Sequence, residues 1–182
     1  MIDNLLKRKK QVKKLLAEKL SFNYKNPLLA IILEKDLSKE DTGIMSGMLE
    51  GASHLNLHVI VLSDKKLPFC EFANVTRIPY SRTNRKYVIE ASDIAMCFAF
   101  NDVEEMLLNG TIPISCSRNE LTDYNPNHET GNSFLFTESN YFCAFAALVR
   151  AVETFKFPYD WSGIVRQGRD SVDCKCNLSA CS

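Results

Sequence analysis

The sequence predicts a single doubly wound α/β domain built on a parallel sheet. Short apolar runs alternate along the chain with segments of helical periodicity, and the connections between them are only a few residues long. The apolar runs are continuous rather than alternating, which is typical of strands buried on both faces of a parallel sheet. Strand and helix in regular alternation, joined by right-handed crossovers, indicate a Rossmann-like architecture.

Length and composition narrow the class of protein. The chain has 182 residues, enough for one domain with a core of its own. Lys plus Arg and Asp plus Glu are both 22, and this balance argues against a dedicated nucleic-acid binder. No apolar run is long enough to span a membrane. The odd count of seven cysteines and the lack of a signal peptide favour a cytoplasmic protein.

The first 22 residues predict an amphipathic helix that packs on the domain. Basic residues fill much of this segment, and the apolar face is narrow and carries no aromatic side chain. A helix that binds a membrane surface or a nucleic acid is therefore the less favoured interpretation. The apolar positions near helical spacing are Leu5, Val12, Leu15, Leu16 and Leu20.

The α/β domain is predicted over residues 23–170, followed by a loosely held, cysteine-containing tail over 171–182. Ser139 is expected to cap the longest helix of the domain. Cysteines inside apolar runs (Cys97, Cys116, Cys143) are interpreted as small buried hydrophobic residues. Strands are expected at 28–33, 57–64, 75–80, 93–100, 111–115 and 134–136, and helices at 42–55, 84–92, 102–110, 139–157 and 159–168.

Four motifs occur in a fixed order in the second half of the chain: "NGTIPIS" at 109–115, "LTD" at 121–123, "TGNSFLF" at 130–136 and "RAVETFKFPYDW" at 150–161. In this order they resemble the C-terminal, nucleotide-sugar-binding half of bacterial glycogen synthases and plant starch synthases. The resemblance covers nearly the whole chain. It implies one of the two Rossmann-like domains of the GT-B fold, which face each other across a cleft. Enzymes of that family transfer glucose from ADP-glucose to the end of an α-1,4-glucan.

The residues that would bind the donor depart from the family pattern. The family's first strand delivers an Arg, and a Lys-Gly pair follows, because fixed cations stabilise the leaving diphosphate. Here Glu34 stands in place of the Arg, and Thr42 with Gly43 stands in place of the Lys-Gly pair. A carboxylate that faces a diphosphate is repulsive.

Three further donor-site features are altered in the same way. The second strand ends in "LSDK" without a glycine, and the family's glutamate-containing loop is missing. Glu104 and Glu105 lie in the helix after that loop, so neither is a safe replacement. The family's "TGGL" becomes "RNEL", in which Asn119 and Glu120 stand in place of the double glycine and Arg118 stands just before them. Residues that serve turns and packing are kept, among them Gly110, Pro113, Leu121, Asp123, Gly131, Asn132 and Phe134.

The sequence therefore predicts a glycogen/starch synthase-like domain that is non-catalytic by itself. By resemblance, the candidate ligand-binding positions of the old cleft are Thr42, Gly43, Thr111 and Arg118, with no catalytic residue, metal or cofactor assigned. The C-x-C pair Cys174 and Cys176 with Cys181 is a weak zinc pattern. Trp161 matches a family packing position, for which a core role is expected. Arg82, Arg85 and Lys86 form either a small basic patch near the cleft or, as we favour, an exposed helix face.

Two alternatives to this prediction stay open. In the first, the chain is the ADP-glucose-binding half of an active glucosyltransferase that works with a missing N-terminal domain. In the second, it is a regulatory module that binds a nucleotide, a sugar or a partner protein. In the first case Lys35, Lys39 or Arg118 would replace the lost cations. The expected partners are a nucleotide sugar or glucan, and a glycosyltransferase N-terminal domain or other protein. Neither a nucleic acid nor a membrane is expected.

Overall fold

The computed structural model describes residues 2–65, 67 and 71–179, and of residues 174–179 it describes the backbone alone. Within them the chain alternates between strands and helices as the sequence predicts. In order, the elements are α1 (Ile2–Leu20), β1 (Leu28–Ile32), α2 (Lys39–Ala52), β2 (His58–Leu62), β3 (Val75–Ile78), α3 (Arg82–Ala91), β4 (Ile94–Cys97), α4 (Val103–Leu108), β5 (Ile112–Cys116), β6 (Phe134–Phe136), α5 (Tyr141–Phe155) and α6 (Pro158–Ser179).

The strands form one parallel sheet in the order β3-β2-β1-β4-β5-β6. Strand β1 lies at the centre, where Ala30 is opposite Ile60 of β2 on one side and Ala95 of β4 on the other. Every residue of β1 and β2 is buried, as their continuous apolar sequences predict. This arrangement confirms the predicted fold class.

Helices cover both faces of the sheet and bury two separate apolar layers. Ile31 and its neighbours of like orientation pack against α2 and α5, while Ala30 and Ile32 face α1, α3 and α4. Helix α6 contributes to both layers, through Val165 to the first and Val172 to the second. The core therefore lies on both sides of the sheet, as in other doubly wound domains.

Two glycines one helical turn apart allow α2 and α5 to approach closely. A Cβ atom added at Gly47 would lie 2.6 Å from the ring of Tyr141, and one added at Gly51 would lie 2.6 Å from the ring of Phe145. These distances are far below van der Waals contact, so neither position accepts a larger side chain without a shift of α5. The small residues of α2 thus permit its close packing against α5.

Helix starts follow the capping rules, with one correction. The side-chain oxygen of Asn140 accepts a hydrogen bond from the Cys143 amide at 2.9 Å, so Asn140 caps α5 and the expectation for Ser139 was wrong. The neighbouring position prevailed because Asn140 has the extended backbone that an N-cap requires. Helices α2, α3 and α4 are capped in the same way by Ser38, Ser81 and Asp102.

Helix α1 packs on the domain with a different face from the one that its leucines suggest. Lys9 and Lys13 are each only 4% exposed, whereas Leu15, predicted on the apolar face, is 53% exposed. Leu16 is buried and joins the layer beneath α3. Two lysines are thus buried because distant polar groups bind their ammonium ends, as described below.

The last helix is much longer than the one expected at 159–168. It continues through Ser179, and Val172 is 3% exposed in the core, so the boundary predicted at 171 lies too early. The C-x-C side chains and Cys181 lie outside the part of the chain described in full. Among the described residues, no helix has the length and apolarity needed to cross a membrane.

The "TGNSF" segment is fixed by its backbone conformation and by close contacts with the segment around Asp123. Gly131 has φ +120°, and a Cβ atom there would lie 2.5 Å from the carbonyl oxygen of Asp123. The neighbouring Asn132 accepts a hydrogen bond from the Thr122 amide at 2.8 Å through its side-chain oxygen. These contacts confirm that the kept motif residues serve loop geometry and packing.

Candidate ligand cleft at the carboxyl edge of the sheet

The strand order places a crevice between β1 and β4, at the carboxyl ends of the strands. The chain runs outward from β1 to β3 on one side and from β4 to β6 on the other, which makes this position the topological switch point of the sheet. Ligands of open α/β sheets bind in the crevice outside such a switch point. We call the ends of the strands here the carboxyl edge.

A buried asparagine closes the switch point. The side-chain amide of Asn101 donates to the carbonyl oxygen of Ile32 at 3.0 Å, which joins the segment after β4 to the end of β1. The side-chain oxygen of Asn101 accepts from the amide of Phe98 at 2.7 Å. Asn101 is 2% exposed, so both bonds are shielded from water. Sequence reasoning missed this residue, although a polar side chain directly after a buried strand is the local signal for it.

An arginine from α3 sits between two carboxylates at the same edge. Arg85 donates to Glu34, which follows β1, and to Glu105 of α4. Burial lowers the pKa of Arg85, but the hydrogen bonds that it donates to Glu105 and Glu34 outweigh this effect, so the pKa lies above its ordinary value. The alternative of an exposed helix face is therefore wrong for Arg85, which stays charged and is paired twice.

Arg118, which by the resemblance stands at the position before the family's glycine pair, is also engaged by the protein. Its guanidinium donates to the carbonyl oxygens of Phe98 at 3.3 Å and Asn101 at 3.2 Å. Its Nε lies 3.8 Å from the carboxylate of Glu120. The side chain thus fixes the segment after β4 and directs its donors to main-chain acceptors.

In the first turn of α2, protein oxygens accept hydrogen bonds from donor groups that could otherwise bind an anion. A helix N-terminus attracts phosphate through unpaired amides and the helix dipole. Here the Ser38 hydroxyl accepts from the Asp41 amide at 2.9 Å, and Glu40 and Asp41 add negative charge to the turn. Thr42 donates its hydroxyl to the Ser38 carbonyl at 2.7 Å. Gly43 is exposed, and an added Cβ would meet nothing within 4 Å, so no close contact requires glycine there.

Two separate pockets remain at the carboxyl edge. The larger is about 560 Å³ and lies between the ends of β1 and β2, where Glu34, Lys35, Asp64, Lys65 and Thr42 contribute to its lining. The smaller is about 280 Å³ and lies beside the ends of β4 and β5. Thr42 and Arg118 line different pockets, so the structure does not bring them together.

Cys97, in the smaller pocket, does not offer a reactive nucleophile. Burial raises the pKa of its thiol to about 12, with the charge of Arg118 opposing the shift. A thiol of that pKa is protonated at neutral pH, and the thiolate is the reactive form.

Thr111 lies at the opposite edge of the sheet, which corrects its predicted place in the cleft. It precedes β5 and is fully buried. Its hydroxyl bonds to the carbonyl oxygens of Ile89 at 2.7 Å and Ser92 at 2.9 Å, and it accepts from Lys9 at 2.8 Å. The motif "GTIPI" begins at the amino end of its strand, so its first residues face away from the carboxyl edge.

No family model matches this sequence, and none of the curated proteins does. Solved structures do match it. The catalytic domain of starch synthase IV from Arabidopsis thaliana, bound to ADP and acarbose, has a TM-score of 0.73 at 17% identity over 88% of this chain. This chain spans only 38% of the length of that one.

Two further structures share the fold. The C-terminal domain of a group 1 family glycosyltransferase from Francisella tularensis has a TM-score of 0.55 at 14% identity and is covered over 88% of its length by 83% of this chain. An Anabaena protein, HepE, in complex with UDP and glucose, has a TM-score of 0.63 at 9% identity, with 94% of this chain and 53% of that chain covered. At such identities the likeness concerns the fold, which is that of the C-terminal domains of GT-B glycosyltransferases.

Proposed function

We propose that this chain is a glycogen/starch synthase-like glycosyltransferase domain that does not transfer glucose by itself, because its donor site is degenerate. The observation that carries the proposal is the double pairing of Arg85 with Glu34 and Glu105. A fold does not carry an activity without the residues of its site.

The ion pairs of Arg85 disfavour the binding of a sugar-nucleotide donor, because they place two carboxylates beside the cation. A sugar-nucleotide diphosphate requires cations with free donors, and it gains charge at the leaving group in the transition state. A phosphate that reached Arg85 would have to displace two carboxylates and then lie beside them. Both carboxylates are partly shielded from water, with side-chain exposures of 25% and 34%, so the repulsion is only partly screened.

Arg118 and the start of α2 support the same interpretation. The guanidinium of Arg118 is directed at two carbonyl oxygens, and the first turn of α2 is capped by Ser38 and carries two carboxylates. Lys35 is an exposed cation at the larger pocket and has no ion pair among the described residues, whereas Lys65, also exposed there, is paired with Asp36. Lys35 is the group on which the alternative of a working donor-binding half depends.

A cytoplasmic location fits the free thiols of Cys97, Cys116 and Cys143, because proteins of oxidising compartments usually pair their cysteines. The expected partners remain a glucan or another protein, such as an N-terminal glycosyltransferase domain, which would use surfaces other than the old donor site.

Calorimetric titration with ADP, UDP and ADP-glucose tests the proposal. We expect no heat of binding at millimolar ligand from a chain whose circular dichroism shows that it is folded. Micromolar affinity for ADP-glucose would overturn the proposal and favour the active half-enzyme, and Lys35→Glu should then abolish the binding. Affinity for a nucleotide or a sugar phosphate without turnover would favour the regulatory module.

A further inference from the structure

A second cleft lies at the amino edge of the sheet, where Asp93 precedes β4. It has a volume of about 470 Å³, within the range of roughly 300–1,000 Å³ that is common for small-molecule sites. We call it the amino-edge cleft, and the residues used below to define it are Lys9, Lys10, Lys13, Lys25, Phe155 and Trp161. It shares no lining residue with the two pockets of the carboxyl edge.

The floor of the amino-edge cleft is formed by two buried lysines and one buried aspartate. Lys13 forms a buried ion pair with Asp93 at 2.5 Å, and the same carboxylate oxygen accepts from the Leu28 amide at 2.9 Å. Lys9 donates to the hydroxyl of Thr111 and to main-chain carbonyls, of which that of Asn109 lies at 3.1 Å. Burial lowers the pKa of Lys9 to about 7, so near neutral pH the floor carries little net positive charge, and the excess of the cleft lies at its rim.

Two more lysines lie at the rim of the cleft, and their ammonium groups are unpaired among the described residues. Lys10 of α1 and Lys25 of the segment before β1 are exposed, and the side chain of neither forms an ion pair or hydrogen bond among the described residues. Ammonium groups that converge from two segments on one cleft provide point charges for an anion such as phosphate. Among the residues that line the cleft, Asp93 is the acidic one against four lysines.

The walls of the cleft are apolar and aromatic. The rings of Phe155 and Trp161 pack edge to face with their centroids 5.1 Å apart, and the Lys13 ammonium lies 5.1 Å from the Phe155 centroid. Leu6, Tyr24 and Pro158 extend this surface. Trp161 is only 6% exposed, so the accessible apolar surface comes mainly from the half-buried Phe155, Leu6 and Tyr24. A ligand ring would cover this surface, whereas a bare inorganic anion would leave it in water.

We infer that the amino-edge cleft binds a small, ring-bearing monophosphate, whose phosphate contacts Lys10 and Lys25 and whose ring lies against Phe155 and Trp161. The free rim lysines select the anion, and the apolar walls select the ring. A sugar phosphate and an aromatic phosphate share this chemistry. The inference does not depend on the state of the carboxyl edge.

The chain has one tryptophan, Trp161, so its fluorescence reports on this cleft. Phenyl phosphate serves as the probe because it joins a flat ring to a phosphate, and inorganic phosphate serves as the comparison. We expect a saturable change of Trp161 emission with phenyl phosphate at sub-millimolar concentration, and weaker binding of inorganic phosphate by about tenfold. Glucose 6-phosphate, titrated next, would tell a sugar from an aromatic ring.

Charge reversal at the rim gives the decisive comparison. K10E/K25E should weaken phenyl phosphate by more than about tenfold, and K10Q/K25Q should weaken it less. K19E/K86E, which reverses two exposed lysines of α1 and α3 that do not line the cleft, should leave the affinity unchanged. Absence of a saturable change in the folded native chain, or equal affinity of native chain and K10E/K25E, would overturn the inference.

Discussion

The side-chain nitrogen of Asn101 lies 3.0 Å from the main-chain oxygen of Ile32, and this hydrogen bond spans the switch point of the sheet. In a ligand-binding domain of this architecture the same place is a crevice. Here a side chain of the protein satisfies the carbonyl at the end of β1. The bond therefore joins the segment after β4 to the end of β1 at the place where a ligand would lie.

Asn101→Ala should destabilise the domain by about 1–3 kcal/mol, because the Ile32 carbonyl and the Phe98 amide each lose a buried partner. Urea unfolding measures the loss. Asn127→Ala, in an exposed loop, is the matched control and should change stability by less than about 0.5 kcal/mol. Equal stabilities of the two variants would contradict a structural role for Asn101.

Glu34→Gln combined with Glu105→Gln should free the guanidinium of Arg85 for an anion. We expect the double variant to bind pyrophosphate in calorimetry, while the native chain gives no heat, because the repulsion is removed and the cation is kept. Adding Arg85→Gln should abolish the binding again, and Glu50→Gln, on the exposed side of α2, should not create it. Binding that survives the loss of Arg85 would point to another cation.

Two glycines of the resemblance should respond oppositely to alanine. Gly43 lies in α2 with open space around its missing Cβ, so Gly43→Ala should raise the free energy of unfolding by about 0.5–1 kcal/mol. Gly131 has φ +120°, and an added Cβ would lie 2.5 Å from the Asp123 carbonyl oxygen, so Gly131→Ala should lower the free energy of unfolding by more than about 1 kcal/mol. Thermal melts of both variants give the comparison, and a destabilised Gly43→Ala would mean that this turn does need glycine.

Thr111→Val keeps the shape of the side chain and removes its hydroxyl. The variant leaves Lys9 without its closest acceptor, at 2.8 Å, and should lose about 1–3 kcal/mol of stability in urea unfolding. Thr111→Ser, which keeps the hydroxyl, should recover part of this loss. An unchanged stability of Thr111→Val would show that the hydroxyl bonds contribute little.

The stability of the domain should depend on the protonation of Lys9. Burial lowers the pKa of its ammonium from 10.5 to about 7, with Asp93 and Glu90 opposing the shift and Lys13 adding to it. Between these two values the unfolded chain holds the proton and the folded chain releases it, so this group makes stability rise with pH from about 7 towards 10.5. Below about pH 7 both states are protonated, and its contribution is constant.

Urea midpoints of the native chain and of Lys9→Met at about pH 6 and about pH 9 isolate this effect, because the other groups titrate in both proteins. The native chain should gain more stability with rising pH than the variant. Parallel pH profiles would mean that Lys9 keeps its proton throughout, held by its oxygen acceptors.

The strands and helices could be predicted because each depends on local sequence. "LLAII" and "HVIVL" are continuously apolar, so each is recognisable as a buried strand without knowledge of its neighbours in the sheet. The helical periodicity of apolar residues likewise predicts α5. The buried face of α1 could not be predicted, since Lys9 is bound by groups 80 to 102 residues away. No local pattern encodes such distant partners. Because the face of α1 that carries Lys9 is the one that is buried, Leu15 is exposed.

The contacts of the candidate site could not be predicted. The resemblance predicts that cations are lost at Glu34 and Thr42, which stays a prediction, whereas the bonds of Asn101 and Arg118 to main-chain carbonyls depend on how the strands meet. Thr111 was misplaced because the motif that contains it runs the full length of β5, from one edge of the sheet to the other.

Helix α6 places Val165 in one apolar layer and Val172 in the other, so a single element closes both sides of the sheet. If α6 detaches, both layers are exposed to water together, and neither can remain packed as an independent unit. The two sides should therefore open in one cooperative event, with amide hydrogens of α2 and α3 exchanging at similar rates during that opening.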